Sequence, residues 1–194
     1  AGFRGLVRLN RAKTVRIDSR STPASVWAES GANLGGIARQ CALRGLSGME
    51  WAASIPGTLG GAVYGNAGAH GGDMRTNLVV AEILHQQQGR VEWSQEQMQY
   101  DYRSSALKKQ PGQSVVLAAR LKLSPATPAE VQAKMDENVE KRRSTQPPGA
   151  SLGSMFKNPA GDYAGRLIEA AGLKGARAGG VQISPVHANF FIND

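Results

Sequence analysis

Cysteine is almost missing from this chain: its 194 residues hold one, Cys41. A disulfide framework is therefore excluded, and a lone thiol inside an apolar helical pattern reads as core packing in a reducing, cytoplasmic compartment. Long apolar runs are missing too; nothing approaches the roughly 18–20 residues of a membrane span. Aromatic residues make up only 6% of the sequence, too few for a base-stacking surface, and no nucleic-acid-binding module can be read. Histidine is scarce. His70, His85 and His187 share no metal-ligand spacing with one another or with Cys41, so no metal site is expected.

Glycine is what the chain has in excess. Nine glycines lie between Gly45 and Gly72, most of them in Ser54-Ile55-Pro56-Gly57-Thr58-Leu59-Gly60-Gly61 and the run that follows to Gly72. Such density lets the backbone take positive φ and lets N–H groups approach a ligand without Cβ interference. Leading into a helix start, it suits a pyrophosphate. It is neither a Walker A loop, for no Gly-Lys-Ser/Thr follows, nor a G-x-G-x-x-G after a strand. A tight turn between two elements is the alternative. The net charge of +8 is spread along the chain and densest at Lys141-Arg142-Arg143, which reads either as a solvated helix end or as an attraction for anions.

Short strands fit Leu6–Leu9, Thr14–Ile17, Val26–Glu29, Leu78–Leu84 and Val91–Trp93. A longer one fits Ser114–Leu123, with Val115, Leu117, Ala119, Leu121 and Leu123 on one face. A helix is predicted over Leu34–Arg44, stopped by Gly45, and a short one beginning at Pro56. Thr127-Pro128-Ala129-Glu130 is a capping box that starts a helix running to about Arg143. Beyond Pro147-Pro148-Gly149, a helix over Ala164–Ala171, capped by Asp162, and strands near Gly180–Ser184 and Asn189–Asn193 make a small second unit. The pattern is α+β, with residues 1–125 as one domain and 126–194 as another. The strand patterns at both ends read as an internal piece of a longer protein.

Three further segments carry chemistry. Tyr100-Asp101-Tyr102-Arg103-Ser104-Ser105 sets an arginine among hydroxyls; it can hold a carboxylate or phosphate by a bidentate fork, or form a structural salt bridge. Gly153-Ser154-Met155-Phe156-Lys157-Asn158-Pro159 reads as a polar loop. Ser154 has no neighbouring histidine base and no G-x-S-x-G elbow, so it fits a proton donor or hydrogen-bonding group rather than a nucleophile. Ser184-Pro185-Val186-His187-Ala188-Asn189 places a histidine at a strand start.

In order along the chain, S-I-P-G-T-x-G-G-A-V-x-x-N-A-G-A-x-G-G, Y-R-S-S, R-x-x-x-Q-P, G-S-x-F-K-N-P, A-G-R-L-I-E-x-A-G-L-K-G and H-A-N-F-x-I-N resemble the UDP-N-acetylenolpyruvoylglucosamine reductase (MurB) family over nearly the whole chain. The short interval between Arg103 and Ser154 is similar to the branch lacking a long substrate-domain loop. The resemblance implies part of a vanillyl-alcohol-oxidase-like FAD-binding domain followed by a small α+β substrate-binding domain. It implies FAD as cofactor, NADPH as hydride donor, a UDP-linked sugar enolpyruvyl ether as substrate, and a place in peptidoglycan precursor synthesis. By position, Ile55, Pro56, Gly57, Thr58, Gly60, Gly61, Asn66 and Gly68 fall in the FAD-binding loop. Arg103 matches the arginine that stabilises charge on the substrate carboxylate, and Ser154 the serine that protonates C2. Tyr102, Asn158 and His187 match substrate contacts. The family's N-terminal flavin-holding turn and a C-terminal strand with an active-site glutamate have no counterpart among these residues. Another FAD-dependent oxidoreductase of the same fold, or a non-catalytic nucleotide-binding module, are the competing readings.

Overall fold

The computed structural model describes residues 11–193; the strand expected at Leu6–Leu9 lies outside them. The chain divides into two compact units, 1–138 and 139–194.

The first unit is built on an antiparallel five-stranded sheet. Its strands are β1 (Val15–Asp18), β2 (Ser25–Glu29), β6 (Leu78–His85), β7 (Gly89–Ser94) and β8 (Ser114–Lys122), in the order β1-β2-β8-β6-β7. Two helices contribute to its core. Helix α1 (Leu34–Ala42) buries Leu34, Ile37, Ala38 and Cys41, the i, i+3, i+4, i+7 stripe of an amphipathic helix. Helix α2 (Leu59–Gly65) buries Leu59, Ala62 and Val63. Cys41 is fully enclosed, and burial pushes its thiol up to about 12, as expected of a packing residue.

Short elements complete the unit. Strands β3 (Leu46–Ser47) and β9 (Ser124–Pro125) pair with each other, and β4 (Gly68–Ala69) and β5 (Gly72–Asp73) form a hairpin. Helix α3 (Met74–Asn77) leads into β6, and α4 (Ala106–Lys109) lies before β8. Helix α5 (Pro128–Thr145) starts at the expected capping box: the Thr127 N–H donates to Glu130 Oε2 at 2.9 Å and the Glu130 N–H to Thr127 Oγ1 at 3.3 Å.

Four sequence expectations need correction. The helix expected to begin at Pro56 begins at Leu59, with Thr58 extended as its N-cap. Gly57 at φ +126° is outside the helical region, so Pro56 cannot open a continuous turn. In β8 the apolar alternation changes phase. Glu82 faces Ala118 but Ile83 faces Val116, which leaves Leu117 as an extra residue, a β-bulge that puts Val116 rather than Val115 or Leu117 in the core. In the second unit, residues 150–154 are not loop but a strand.

That strand, β10 (Ala150–Ser154), joins β11 (Arg177–Ala178), β12 (Val181–Ile183) and β13 (Phe190–Asn193) in a sheet ordered β10-β13-β12-β11. Helix α6 (Ala164–Ala170) completes the unit. Asp162 is not its cap. The Ala164 N–H donates to Asn158 Oδ1 at 3.0 Å, while Asp162 takes the Tyr163 N–H and the Arg166 guanidinium. Those two partners, the arginine foremost, hold the Asp162 carboxyl down to about 2.

Candidate functional site

The glycine loop enters α2 with its helix-start donors already engaged. The Leu59 N–H donates to Ala32 O at 2.9 Å, the Gly60 N–H to Ser30 O at 2.8 Å and the Gly61 N–H to Thr58 Oγ1 at 3.4 Å. An anion at this loop therefore meets the turn before the helix rather than its first N–H groups. That turn is open: a Cβ on Gly57 would touch nothing within 4 Å, and Gly61 has only Thr58 Oγ1 at 3.7 Å. Gly60 and Gly68 are different. A Cβ on Gly60 would sit 2.8 Å from Ser30 Cβ, and one on Gly68 would sit 2.7 Å from Asp73 Cβ. Their smallness serves packing of the chain on itself. Ile55 packs against the core and Pro56 is exposed.

Two hydroxyls mark the loop as a place built for a further partner. Among the described residues, the buried Oγ atoms of Ser30 and Ser54 have no hydrogen-bond partner, and an unpaired buried hydroxyl is costly. One flanks the loop at its start and the other lies under Gly60. The open, positive-φ turn at Gly57 and an orphan hydroxyl on the loop itself fit a phosphate-bearing cofactor such as FAD.

Beyond the loop, the far end of α2 is gripped by the Tyr100–Ser105 segment. The last carbonyls of a helix have no intrahelical donor and carry its negative pole. Here Tyr100 donates its hydroxyl to Val63 O at 2.9 Å and Ser105 donates to Tyr64 O at 2.6 Å. Arg103 donates from Nη1 to Asn66 O at 3.3 Å and from Nη2 to Gly68 O at 2.6 Å. Asn66, left-handed at φ 47° as the α2 C-cap, donates from Nδ2 to Asp101 O at 3.1 Å. Burial raises the Tyr100 phenol well above its ordinary value, so it serves as a donor throughout the physiological range. Arg103 itself is strained at φ 52°, its guanidinium 5.6 Å from the half-exposed Tyr102 ring. The structure thus brings Asn66, Gly68, Tyr102 and Arg103 together at one end of α2.

In the second unit, Ser154 closes β10 opposite Phe190, exposed, with no hydrogen bond from its hydroxyl to any described residue. The segment after it is held by a side chain that the sequence reading passes over. Asn189, buried, accepts from the Phe156 N–H at 2.9 Å and donates to Phe156 O at 2.9 Å, while its own carbonyl takes the Met155 N–H. The signal was a polar residue inside the apolar run Ala188-Asn189-Phe190. Asn158 caps α6. His187 accepts the Asn189 N–H on Nδ1 at 3.2 Å, its ring 4.8 Å from Phe190, and Gly165 leaves room for it. Ser154 and His187 therefore flank the hydrogen bonds of Asn189, while Asn158 is tied to the start of α6.

Comparison with known proteins gives two family matches. Residues 5–94 match the FAD binding domain, and residues 144–194 match the C-terminal domain of UDP-N-acetylenolpyruvoylglucosamine reductase. A UDP-N-acetylenolpyruvoylglucosamine reductase of Chloroflexus aurantiacus is 44% identical over 99% of this chain and 66% of that protein. One of Bacillus subtilis is 48% identical over 81% of this chain and 52% of that protein. The crystal structure of UDP-N-acetylenolpyruvylglucosamine reductase from Thermus caldophilus superposes with a TM-score of 0.79 at 38% identity, covering 86% of this chain and 61% of that one. The chain spans 66% of the length of the Chloroflexus relatives and about half the length of the Bacillus ones.

Proposed function

From a chain that belongs to the UDP-N-acetylenolpyruvoylglucosamine reductase family, we propose a part in the NADPH-dependent reduction of UDP-N-acetylglucosamine enolpyruvate to UDP-N-acetylmuramate. The reaction belongs to cytoplasmic peptidoglycan precursor synthesis. The observation that carries the reading is the fork of Arg103, held on the carbonyls of Asn66 and Gly68 beside the glycine loop. Bound FAD supplies hydride transfer, accepting from NADPH and giving to C3 of the enolpyruvyl group. The Gly57 turn and the Ser54 hydroxyl would hold its phosphates.

Arg103 uses two of its N–H donors to fix itself; those that remain are aimed by the fixed plane of the guanidinium. They stabilise the negative charge that grows on the substrate carboxylate as C3 receives hydride. Because the group is preorganised by backbone carbonyls, little reorganisation accompanies the reaction. Ser154 presents an unengaged hydroxyl and gives its proton to C2. Asn158 and His187, in the same unit as Ser154, and Tyr102, beside Arg103, contact the substrate. No helix among the described residues is long and apolar enough to cross a membrane.

Titration of the chain with FAD, followed by flavin absorbance and fluorescence, tests the cofactor. Anaerobic addition of NADPH and then the enolpyruvyl sugar tests the reaction. Saturable binding, bleaching by NADPH and recovery of colour by that sugar, but not by simple alcohols, are expected. A protein that never takes up FAD overturns the reading.

A further inference from the structure

We propose that Lys108 is a positioning residue for Arg103, clamping the backbone of the arginine whose guanidinium is clamped by the end of α2. The role rests on the reading of Arg103 as the group that meets the substrate carboxylate.

The turn that carries Arg103 sets the problem. Asp101 and Ser104 exchange both backbone hydrogen bonds, at 3.2 and 3.0 Å, and the Tyr102 N–H donates to Asp101 Oδ1 at 2.7 Å. Arg103 is therefore the third residue of a four-residue turn, at φ 52°. A positive φ at that position normally selects Gly or Asn. An arginine there carries backbone strain that its surroundings must hold in place. If the turn relaxed, the guanidinium would swing away from the place where its fork is needed.

The guanidinium end is held by the carbonyls of Asn66 and Gly68. The backbone end is held by Lys108. The Arg103 carbonyl is left out of the turn's own bonds and accepts from Lys108 Nζ at 3.1 Å, a charge-assisted contact of the stronger kind. Among the described residues Lys108 forms no salt bridge, so no ion pair draws its ammonium to this position. What aims it is the start of α4. The Lys108 N–H donates to Ser105 Oγ at 3.2 Å, and Ser105, fully buried, donates that hydroxyl to Tyr64 O at 2.6 Å. Tyr64 lies in the last turn of α2, and Asn66 closes that helix. One helix end thus roots the lysine and also receives the guanidinium. Both planes of Arg103, its peptide and its fork, are referenced to the same frame. Lys109, the next residue of α4, is exposed and makes no bond to Arg103.

The two half-reactions of the FAD-loaded chain test this. Lys108→Met removes the donor at nearly constant length, and Lys108→Arg restores one. Lys108→Met should bind FAD and be reduced by NADPH at a normal rate. Its oxidation by the saturating enolpyruvyl sugar should slow by about 10–100-fold, the scale of a small misplacement. The half-saturating concentration should stay within about twofold, the mark of a loss confined to the transition state. Lys108→Arg should recover most of the rate, and Lys109→Met should keep all of it. A second measurement needs neither cofactor nor substrate. Exchange of the Arg103 Nη protons with water, followed by NMR in the free chain, should speed up in Lys108→Met. Arg103→Lys separates the two claims. If it slows oxidation while Lys108→Met does not, the positioning role falls and the functional reading stands; if it leaves oxidation untouched, both fall. Unchanged proton exchange in folded Lys108→Met, or equal slowing by Lys109→Met, would also overturn the positioning role.

Discussion

Asn66 and Arg103, 37 residues apart in sequence, hold each other: the arginine donates to the Asn66 carbonyl at 3.3 Å while the Asn66 amide donates to the carbonyl of Asp101, two residues before the arginine. One residue closes a helix in the left-handed conformation; the other sits in that same rare region at the tip of a turn bridged by Asp101 and Ser104. Each strained backbone is kept in place by the other's hydrogen bonds, which is how a preorganised cation can be maintained at the surface. The negative end of α2 adds its pull on the guanidinium.

This mutual hold predicts a graded response at Asn66. Replacement by Gly keeps the left-handed backbone and loses both amide bonds, at a cost of about 1–3 kcal/mol for the partners left buried. Replacement by Ala loses the same bonds and adds roughly 1 kcal/mol of left-handed strain. Urea unfolding should therefore rank wild type above Gly above Ala. Equal stability of the two variants would show that the backbone conformation is not under load.

The two adjacent glycines of α2 should move stability in opposite directions. Gly60→Ala drives a methyl group toward Ser30 Cβ, 2.8 Å away, and overpacking of that kind costs about 1–3 kcal/mol. Gly61→Ala meets only Thr58 Oγ1 at 3.7 Å and should gain about 0.5–1 kcal/mol from helix propensity. FAD titration of the same pair separates packing from binding: if the loop meets the cofactor at Gly61, flavin affinity falls in the more stable variant. Thermal melts in which both shift the same way would contradict the geometry.

Much of this was readable from the chain. Thr127 and Glu130 carry a reciprocal pair of hydrogen bonds whose three-residue spacing is local, so no tertiary knowledge was needed to find it. Cys41 and its apolar neighbours announced a buried stripe in the same way. What escaped was decided by distant partners. Leu117 becomes a bulge because β6 and β8 slip by one residue between Glu82 and Ile83, and nothing in an alternating run marks where pairing slips. Asp162 and Asn158 both suit a helix cap. The choice fell to Asn158 because Arg166 and the Tyr163 N–H already occupy Asp162. Residues 150–154 carry few of the branched and aromatic side chains that signal a strand, and are extended only because β13 pairs with them. The chemistry at Arg103 was suggested by residue type, but its grip on α2 came from Tyr100 and Ser105, which read as ordinary loop residues.

The Asp162–Arg166 link sets an acid limit on the start of α6. The carboxyl is lowered from 3.8 to about 2, chiefly by the arginine and secondarily by the Tyr163 N–H. A depressed carboxylate favours the folded state above its unfolded value and loses that contribution as pH falls through the folded one. The contribution is complete above about pH 4 and disappears toward pH 2. Exposure of the pair keeps it small. The amide shift of Tyr163, followed by NMR, should titrate with a midpoint near 2, and Asp162→Asn should abolish that transition. A midpoint near 4 would show that the link does not persist in solution.

Ser154 gives the sharpest separation of structure from chemistry. Its hydroxyl is exposed and bonded to no described residue, so Ser154→Ala should leave stability within about 0.5 kcal/mol of wild type. A serine that merely supported the strand would behave differently, losing about 1 kcal/mol with its hydrogen bond. If the hydroxyl delivers the proton to C2, the variant should still bind FAD and still have it reduced by NADPH at a near-normal rate, for neither event uses the serine. Oxidation of the reduced enzyme by the enolpyruvyl sugar should collapse, because hydride addition without protonation reverts. Ser154→Cys should recover part of that rate, since a thiol is the stronger acid and reaches the same carbon. Asn189→Ala provides the contrast: loss of both grips on Phe156 should lower stability by about 1–3 kcal/mol and blunt the same half-reaction by displacing the serine. Stopped-flow traces of the two half-reactions read all three variants. If Ser154→Ala slowed both halves equally, or neither, the hydroxyl would not be the proton donor.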